Sequence, residues 1–181
     1  MSKKIVAPAG HFYPIPENAV AWHAVNISPF KPGGSVLVLG GGPIGLGVVQ
    51  VLKLHGAKNI MVSELLENRK KYCLDYGATH ILDPREVNVA QKARELTEGI
   101  GADVIFDAAG VEKAIVGAIP ACRTQGTIVN IAVWEKSPSL PVNQLMYNEV
   151  RYMGAALFDE PSFVDTIRAV SDGKFAISCC I

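Results

Sequence analysis

Charge of one sign is missing from this sequence. Its 181 residues carry 17 Lys and Arg against 17 Asp and Glu, a formal net charge of zero. That excludes the net-basic surface of a nucleic-acid binder and the polybasic patch of a membrane-surface protein. A long hydrophobic run is missing too. The longest wholly apolar stretch, Val36–Val49, falls short of the roughly 18 residues that a membrane span needs. It is also interrupted by Gly40, Gly41, Gly42, Pro43, Gly45 and Gly47. The opening MSKKIVAPAGHFYP has two lysines but no apolar core for a secretory signal. Cysteine is sparse: Cys73, Cys122, Cys179 and Cys180, with no C-x-x-C pair. That argues against a structural zinc site within this chain, nothing in the spacing suggests a disulfide framework, and a reducing cytosol fits best. Cys73 and Cys122 read as small buried hydrophobes, Cys179 and Cys180 as exposed terminal residues. There is no repeat and no low-complexity segment. The expectation is a soluble, cytoplasmic protein with no nucleic-acid or membrane partner.

What is present is core. Hydrophobic residues make up 49% and charged residues 19%, which excludes intrinsic disorder. The length suits one ordinary domain. Short β-branched runs alternate with helical patterns. Ser35–Gly40 predicts a strand and Pro43–His55 a helix, with Pro near its start and Gly56 past its end. Asn59–Glu64 predicts the second strand, Leu66–Tyr76 a helix, and His80–Leu82 a third strand. A helix then runs from Asp83-Pro84 to about Glu98. Asp103–Ala108 predicts the fourth strand, Val111–Arg123 a helix, Thr127–Val133 the fifth strand, Glu149–Leu157 the sixth, and Pro161–Ser171 a closing helix. Continuous apolar strands alternating with helices predict an α/β fold: a doubly wound parallel sheet covered on both faces.

The sharpest motif is Gly40-Gly41-Gly42-Pro43-Ile44-Gly45, a G-x-G-x-x-G pattern that leaves a strand and opens a helix. Gly40 permits the tight turn, Gly42 admits a pyrophosphate to the backbone, and Gly45 lets the helix pack closely. The unpaired N–H groups of the first helical turn, including that of Ile44, then face the phosphates, and Pro43 presets the turn. Glu64 follows Gly45 by 19 positions, at the end of the second strand. A carboxylate there accepts hydrogen bonds from ribose hydroxyls and repels a 2′-phosphate, which favours NAD over NADP. Arg69, one helical turn on, is expected at the adenosine pocket, with a solvated Arg69-Lys70-Lys71 face as the alternative. Other glycine-loop chemistries fail on particular residues. Neither Tyr147 nor Tyr152 has the lysine four positions on that a short-chain dehydrogenase needs, and no G-K-[ST] follows the loop.

The segments AVAWHAVNISPFKPG, SVLVLGGGPIGLGVVQVLKLHGAKNI, VSELLENRKKYCLDYGATHILDP and GADVIFDAAG resemble the cofactor half of a medium-chain, zinc-dependent alcohol or polyol dehydrogenase, nearest the butanediol dehydrogenase branch. The similarity runs from about Ala19 to Lys174. It implies a six-stranded Rossmann fold that binds NAD. It also implies that Asp107–Gly110 (with Ala108 and Ala109), Ile131–Val133 and Gly154–Leu157 (with Ala155) border the nicotinamide side, largely through main chain. It further implies a homodimer joined through the edge strand near 149–157.

In the family, zinc polarises the alcohol oxygen and hydride passes to the nicotinamide. His11, His23, His55 and His80 form no clustered ligand set, so zinc is expected in the full-length family but not on this chain. His23, beside Trp22, is placed near the cofactor side. Residues 1–18 read as a remnant arm of a missing catalytic domain, with Pro16-Glu17 reversing the family's Glu-Pro pair. Residues 19–174 read as the NAD-binding domain, and residues 175–181 as an apolar tail without a partner. The expectation is a truncated, catalytically impaired dehydrogenase half. The alternative is a non-catalytic dinucleotide-binding or interaction module.

Overall fold

Apolar runs without polar interruption become strands buried on both sides. The structure, a computed structural model, describes residues 18–176. The strands are β1 (Ser35–Leu39), β2 (Asn59–Ser63), β3 (His80–Leu82), β4 (Ala102–Asp107), β5 (Cys122–Asn130) and β6 (Arg151–Gly154). All pairings are parallel, in the order β3-β2-β1-β4-β5-β6. The expected doubly wound six-stranded sheet is what forms.

Successive strand residues point to opposite faces, so each face has its own core. Val36, Val38, Ile60, Val62, Val104, Phe106 and Val129 pack with Trp22, Val48, Val49 and Leu52. These come from the helices α1 (Asn18–Ile27) and α2 (Pro43–Leu54). On the other face Leu37, Leu39, Met61, Ile105 and Ile128 pack with Ala90, Ala93, Ile115 and Ala118. These helical residues belong to α4 (Val89–Glu95) and α5 (Glu112–Ala118). The remaining helices are α3 (Glu67–Tyr76), α6 (Val142–Tyr147) and α7 (Glu160–Ser171). Among the described residues, no helix is long and apolar enough to cross a membrane.

Register sets the working end. Leu39 pairs with Ser63 on one side and Asp107 on the other, Ser63 with Leu82, Asp107 with Asn130, and Asn130 with Gly154. The six strands therefore finish at one level. The order reverses between β1 and β4, which opens the crevice where ligands of such sheets bind.

Several elements differ from the sequence expectation. Asp83 anchors a turn, accepting the Arg85 amide on Oδ1 and the Glu86 and Val87 amides on its carbonyl. The helix after β3 is thereby delayed until Asn88 caps it by accepting from the Gln91 amide at 3.0 Å. The helix expected over Val111–Arg123 stops at Ala118, and Pro120 sits in a 3₁₀ turn, Ile119–Ala121. β5 starts five residues earlier than expected, at Cys122, with a register shift between Ala102 and Val104 that leaves Gly126 inside the strand. It ends at Asn130, short of Val133. α6 was not foreseen.

Asn18 belongs to a helix, and Phe175 has a partner. Asn18 opens α1 and is 1% exposed. The Phe175 ring is buried against Trp22, centroids 6.0 Å apart. The Ala176 amide donates to Gln50 Oε1 at 2.8 Å. At Phe175 the tail is thus core. The rest of the proposed arm, with His11, Pro16 and Glu17, and of the tail, with Cys179 and Cys180, lies outside the described residues.

Candidate functional site

The turn from β1 into α2 is built around glycine in three ways. Gly40 has φ +87°, and a Cβ there would stand 3.3 Å from Ala109 Cα and Cβ. Gly45 is tighter: its Cβ would lie 1.9 Å from the Gly40 carbonyl oxygen. Gly42 is the opposite case. Its Cβ would meet only Arg69 Nη1, at 3.9 Å, so the backbone here faces open space. Gly42 is also the N-cap of α2, and Pro43 at the first helical position has no N–H. The Gly42, Ile44 and Gly45 amides have no carbonyl one turn earlier in the helix to bond. Three donors and the positive end of a 12-residue helix converge on that space.

Glu64 lies just past β2 and is 6% exposed. Its Oε2 accepts the Gly41 amide at 2.7 Å, and its Oε1 accepts the Leu65 and Leu66 amides at 2.7 and 2.8 Å. The carboxylate thus clasps the glycine loop to the end of β2, a duty that its position in sequence does not announce. A carboxylate offers about four acceptor positions, so three are filled here. Cys73 of α3 lies beneath, where a Cβ on Gly41 would come within 2.7 Å of its Sγ. Burial, with the nearby Glu64 charge, pushes this thiol up to about 12. Cys73 and Cys122 are both buried free thiols, as expected.

Arg69 is exposed, and its Nη1 lies 3.9 Å from where a Cβ on Gly42 would stand. Its neighbour Lys70 is no solvated face residue. It pairs with Asp83 and, at 2.7 Å, with Glu67. Arg85 grips the same Asp83 through Nη2 at 2.6 Å and also reaches the Leu65 carbonyl at 2.8 Å. Hydrogen bonds from Arg85 and then Lys70 hold the Asp83 carboxyl well below the usual carboxylate range.

Sequence reading missed the crevice next to this network. A 460 Å³ hollow is lined by Leu65, Pro84, Arg85, Val87, Val111 and Ala114, among others. The available signal was apolar residues left outside: Leu65, Val87 and Val111 are 45%, 36% and 52% exposed.

On the other flank, Asp107 closes β4 with no exposure. Its Oδ1 accepts the Ala109 and Gly110 amides at 3.0 and 3.1 Å, while Oδ2 is buried without a partner. Burial raises this carboxyl, and the two amides oppose the rise. Ala108 is tied to β1 through its amide on the Leu39 carbonyl at 3.0 Å. The turn Ala108–Gly110 is therefore held against Gly40. Beyond it, Ile131 and Ala155 pack into the core, whereas Val133 and Leu157 are 96% and 75% exposed. The thirteen candidate residues thus divide. Gly40, Gly42, Pro43, Ile44, Gly45, Glu64, Arg69, Ala108 and Ala109 gather around the β1 switch point. Ile131, Val133, Ala155 and Leu157 follow the ends of β5 and β6.

The histidines take other places. His23 Nδ1 faces the Asp159 carboxylate at 3.4 Å, at the start of α7 and not at the glycine loop. His55 lies edge-on to Trp22 and is lowered by burial. His80 Nδ1 is 2.9 Å from Thr79 Oγ1. Among the described residues, no three His, Cys, Asp or Glu side chains come together as a metal-holding group.

Comparison with known proteins agrees with this geometry. A family model described as zinc-binding dehydrogenase matches residues 43–172. The (R,R)-butanediol dehydrogenase of Saccharomyces cerevisiae is 31% identical over 198 residues, covering 99% of this chain and 51% of its own. That of Neisseria gonorrhoeae is 34% identical over 157 residues, covering 86% and 44%. The crystal structure of 2R,3R-butanediol dehydrogenase from Bacillus subtilis superposes with a TM-score of 0.83 at 32% identity, covering 90% of this chain and 46% of that one. A Sinorhizobium meliloti dehydrogenase structure bound to NADP gives 0.82 at 26%, covering 91% and 48%. The chain spans about half the length of the curated relatives it matches.

Proposed function

The chain belongs to the zinc-binding dehydrogenase family, and on that footing we propose that it binds NAD(H) and serves as the cofactor half of an alcohol or polyol oxidoreductase. The observation that carries this reading is the open backbone at Gly42, faced by the unpaired amides of Gly42, Ile44 and Gly45. Each helix-terminal contact with an anion is worth about 1 kcal/mol, and more where water is excluded. The Arg69 guanidinium beside Gly42 adds positive charge on the same side.

When bound, NAD supplies the hydride acceptor for the carbinol carbon of an alcohol. The chain's own work is positioning. The amides of the first α2 turn hold the diphosphate. Glu64 fixes Gly41 and offers its remaining acceptor position to a ribose hydroxyl. The hollow between Leu65 and Val111 receives the adenine. Ala108 and Ala109, with Ile131, Val133, Ala155 and Leu157, border the nicotinamide.

Glu64 supports NAD over NADP, because a 2′-phosphate would bring a second anion to a nearly buried carboxylate. A fluorescence titration tests this. NADH binds more tightly than NADPH, and Glu64→Ala narrows the gap. Equal affinities for the unmutated chain defeat the assignment. Zinc content and turnover of 2,3-butanediol with NAD separate a catalytic chain from a dinucleotide-binding module. The free thiols of Cys73 and Cys122 suit a reducing cytoplasm. Assembly as a homodimer through β6 is part of the proposal. That strand ends the sheet order, and Tyr152 on it is 40% exposed. Light scattering at micromolar concentration reads a dimer mass if so and a monomer mass if not.

A further inference from the structure

The far end of the sheet holds an unexplained concentration of positive charge. A 250 Å³ pocket opens there, lined by Lys31, Asp103, Arg123, Gln125, Thr127 and Arg151 among others. Thr127 pairs with Val104 and Arg151, three register steps below Asn130. At about 3.3 Å per residue, that is about 10 Å below the strand ends that carry the glycine loop. The pocket is therefore no part of the diphosphate site.

Its one lining carboxylate is already engaged. Asp103 Oδ1 accepts from Arg123 Nε at 2.6 Å, and Oδ2 accepts the Ser35 amide at 2.8 Å. Arg123 is neutralised by that pair and also donates from Nη1 to the Thr124 carbonyl. Glu149, two residues before Arg151, accepts from Gln125 Nε2 at 2.7 Å. Lys31 and Arg151 are left without an ion-pair partner among the described residues. Two cations on one small pocket repel each other unless an anion joins them. Thr127 adds an independent sign. It is 1% exposed, it forms part of the pocket wall, and its hydroxyl is buried with no hydrogen-bond partner. A buried polar group in that state needs a reason.

We propose that this pocket binds a phosphate dianion, free or as the terminal group of a small phosphomonoester, through Lys31, Arg151 and the Thr127 hydroxyl. Two unpaired positive charges match a dianion, and the guanidinium fork suits two phosphate oxygens at once.

Isothermal titration of the full chain with inorganic phosphate at constant ionic strength tests the site, with glycerol phosphate as the second probe. One-to-one saturable binding is expected. Arg151→Gln and Lys31→Gln, both at exposed positions, should each weaken it about tenfold, the scale of a lost charge-assisted hydrogen bond. Thr127→Val should weaken it less, with an unchanged circular dichroism spectrum. Tighter binding of inorganic phosphate identifies the free anion as the ligand, and tighter binding of glycerol phosphate identifies the ester. The proposal is overturned if no saturable heat appears. It is equally overturned if binding survives the Lys31/Arg151 double substitution, or if NADH displaces the phosphate, which would locate it on the glycine loop.

Discussion

Glu64 Oε2 accepts the Gly41 amide at 2.7 Å, so the carboxylate after β2 holds the loop that leaves β1. Glu64→Gln puts amide hydrogens where backbone hydrogens already point. Urea unfolding should show a loss of about 2 kcal/mol, the worth of a charged acceptor on backbone donors, and NADH should bind more weakly. An unchanged unfolding midpoint would mean that the clasp contributes nothing.

Gly45 touches backbone. A Cβ at 1.9 Å from the Gly40 carbonyl oxygen has no flexible neighbour to displace. Gly45→Ala should cost about 1–3 kcal/mol, as overpacking does, seen as a lower Tm. A variant that melts like the parent contradicts the close packing of the first α2 turn on Gly40.

Asp83 sits between Arg85 and Lys70, with its carboxyl well below the usual range. A carboxyl depressed by folding adds stability above its unfolded pKa of about 3.9 and loses it as pH falls toward the folded value. The denaturation midpoint should therefore be higher for the parent than for Asp83→Asn at pH 7. The difference should shrink once pH drops below about 4. A pH-independent difference would show that the ion pairs are not its source.

Phe175 closes the core on Trp22. Phe175→Ala should lower unfolding free energy by about 3 kcal/mol, the usual loss for a buried aromatic ring. A change too small to measure would return this residue to the tail.

The fold was legible because its strands are apolar without interruption: Val36–Leu39, Ile60–Val62 and Val104–Phe106 are all buried. The glycine turn was legible for the same local reason, since one strand, four glycines and a proline lie within a single stretch. What stayed hidden depends on partners distant in sequence. Glu64 was found by its spacing, but not its bond to Gly41, 23 residues away. Nothing near Phe175 announces Trp22. The early start of β5 was obscured by Ile119-Pro120-Ala121, which continues an apolar helical pattern through a 3₁₀ turn. Arg69 was expected at an adenosine pocket, and its position near Gly42 is fixed only by the geometry of α3, which the sequence does not display.

Gly42 gives the most direct test, because an added methyl there meets open space and only the tip of Arg69. NADH fluorescence should saturate on the unmutated chain. With Gly42→Ala, the Tm should stay the same while affinity falls about tenfold or more, as the methyl occupies the place of the diphosphate. Equal NADH affinity in the two proteins, or no saturable binding in either, would contradict the account.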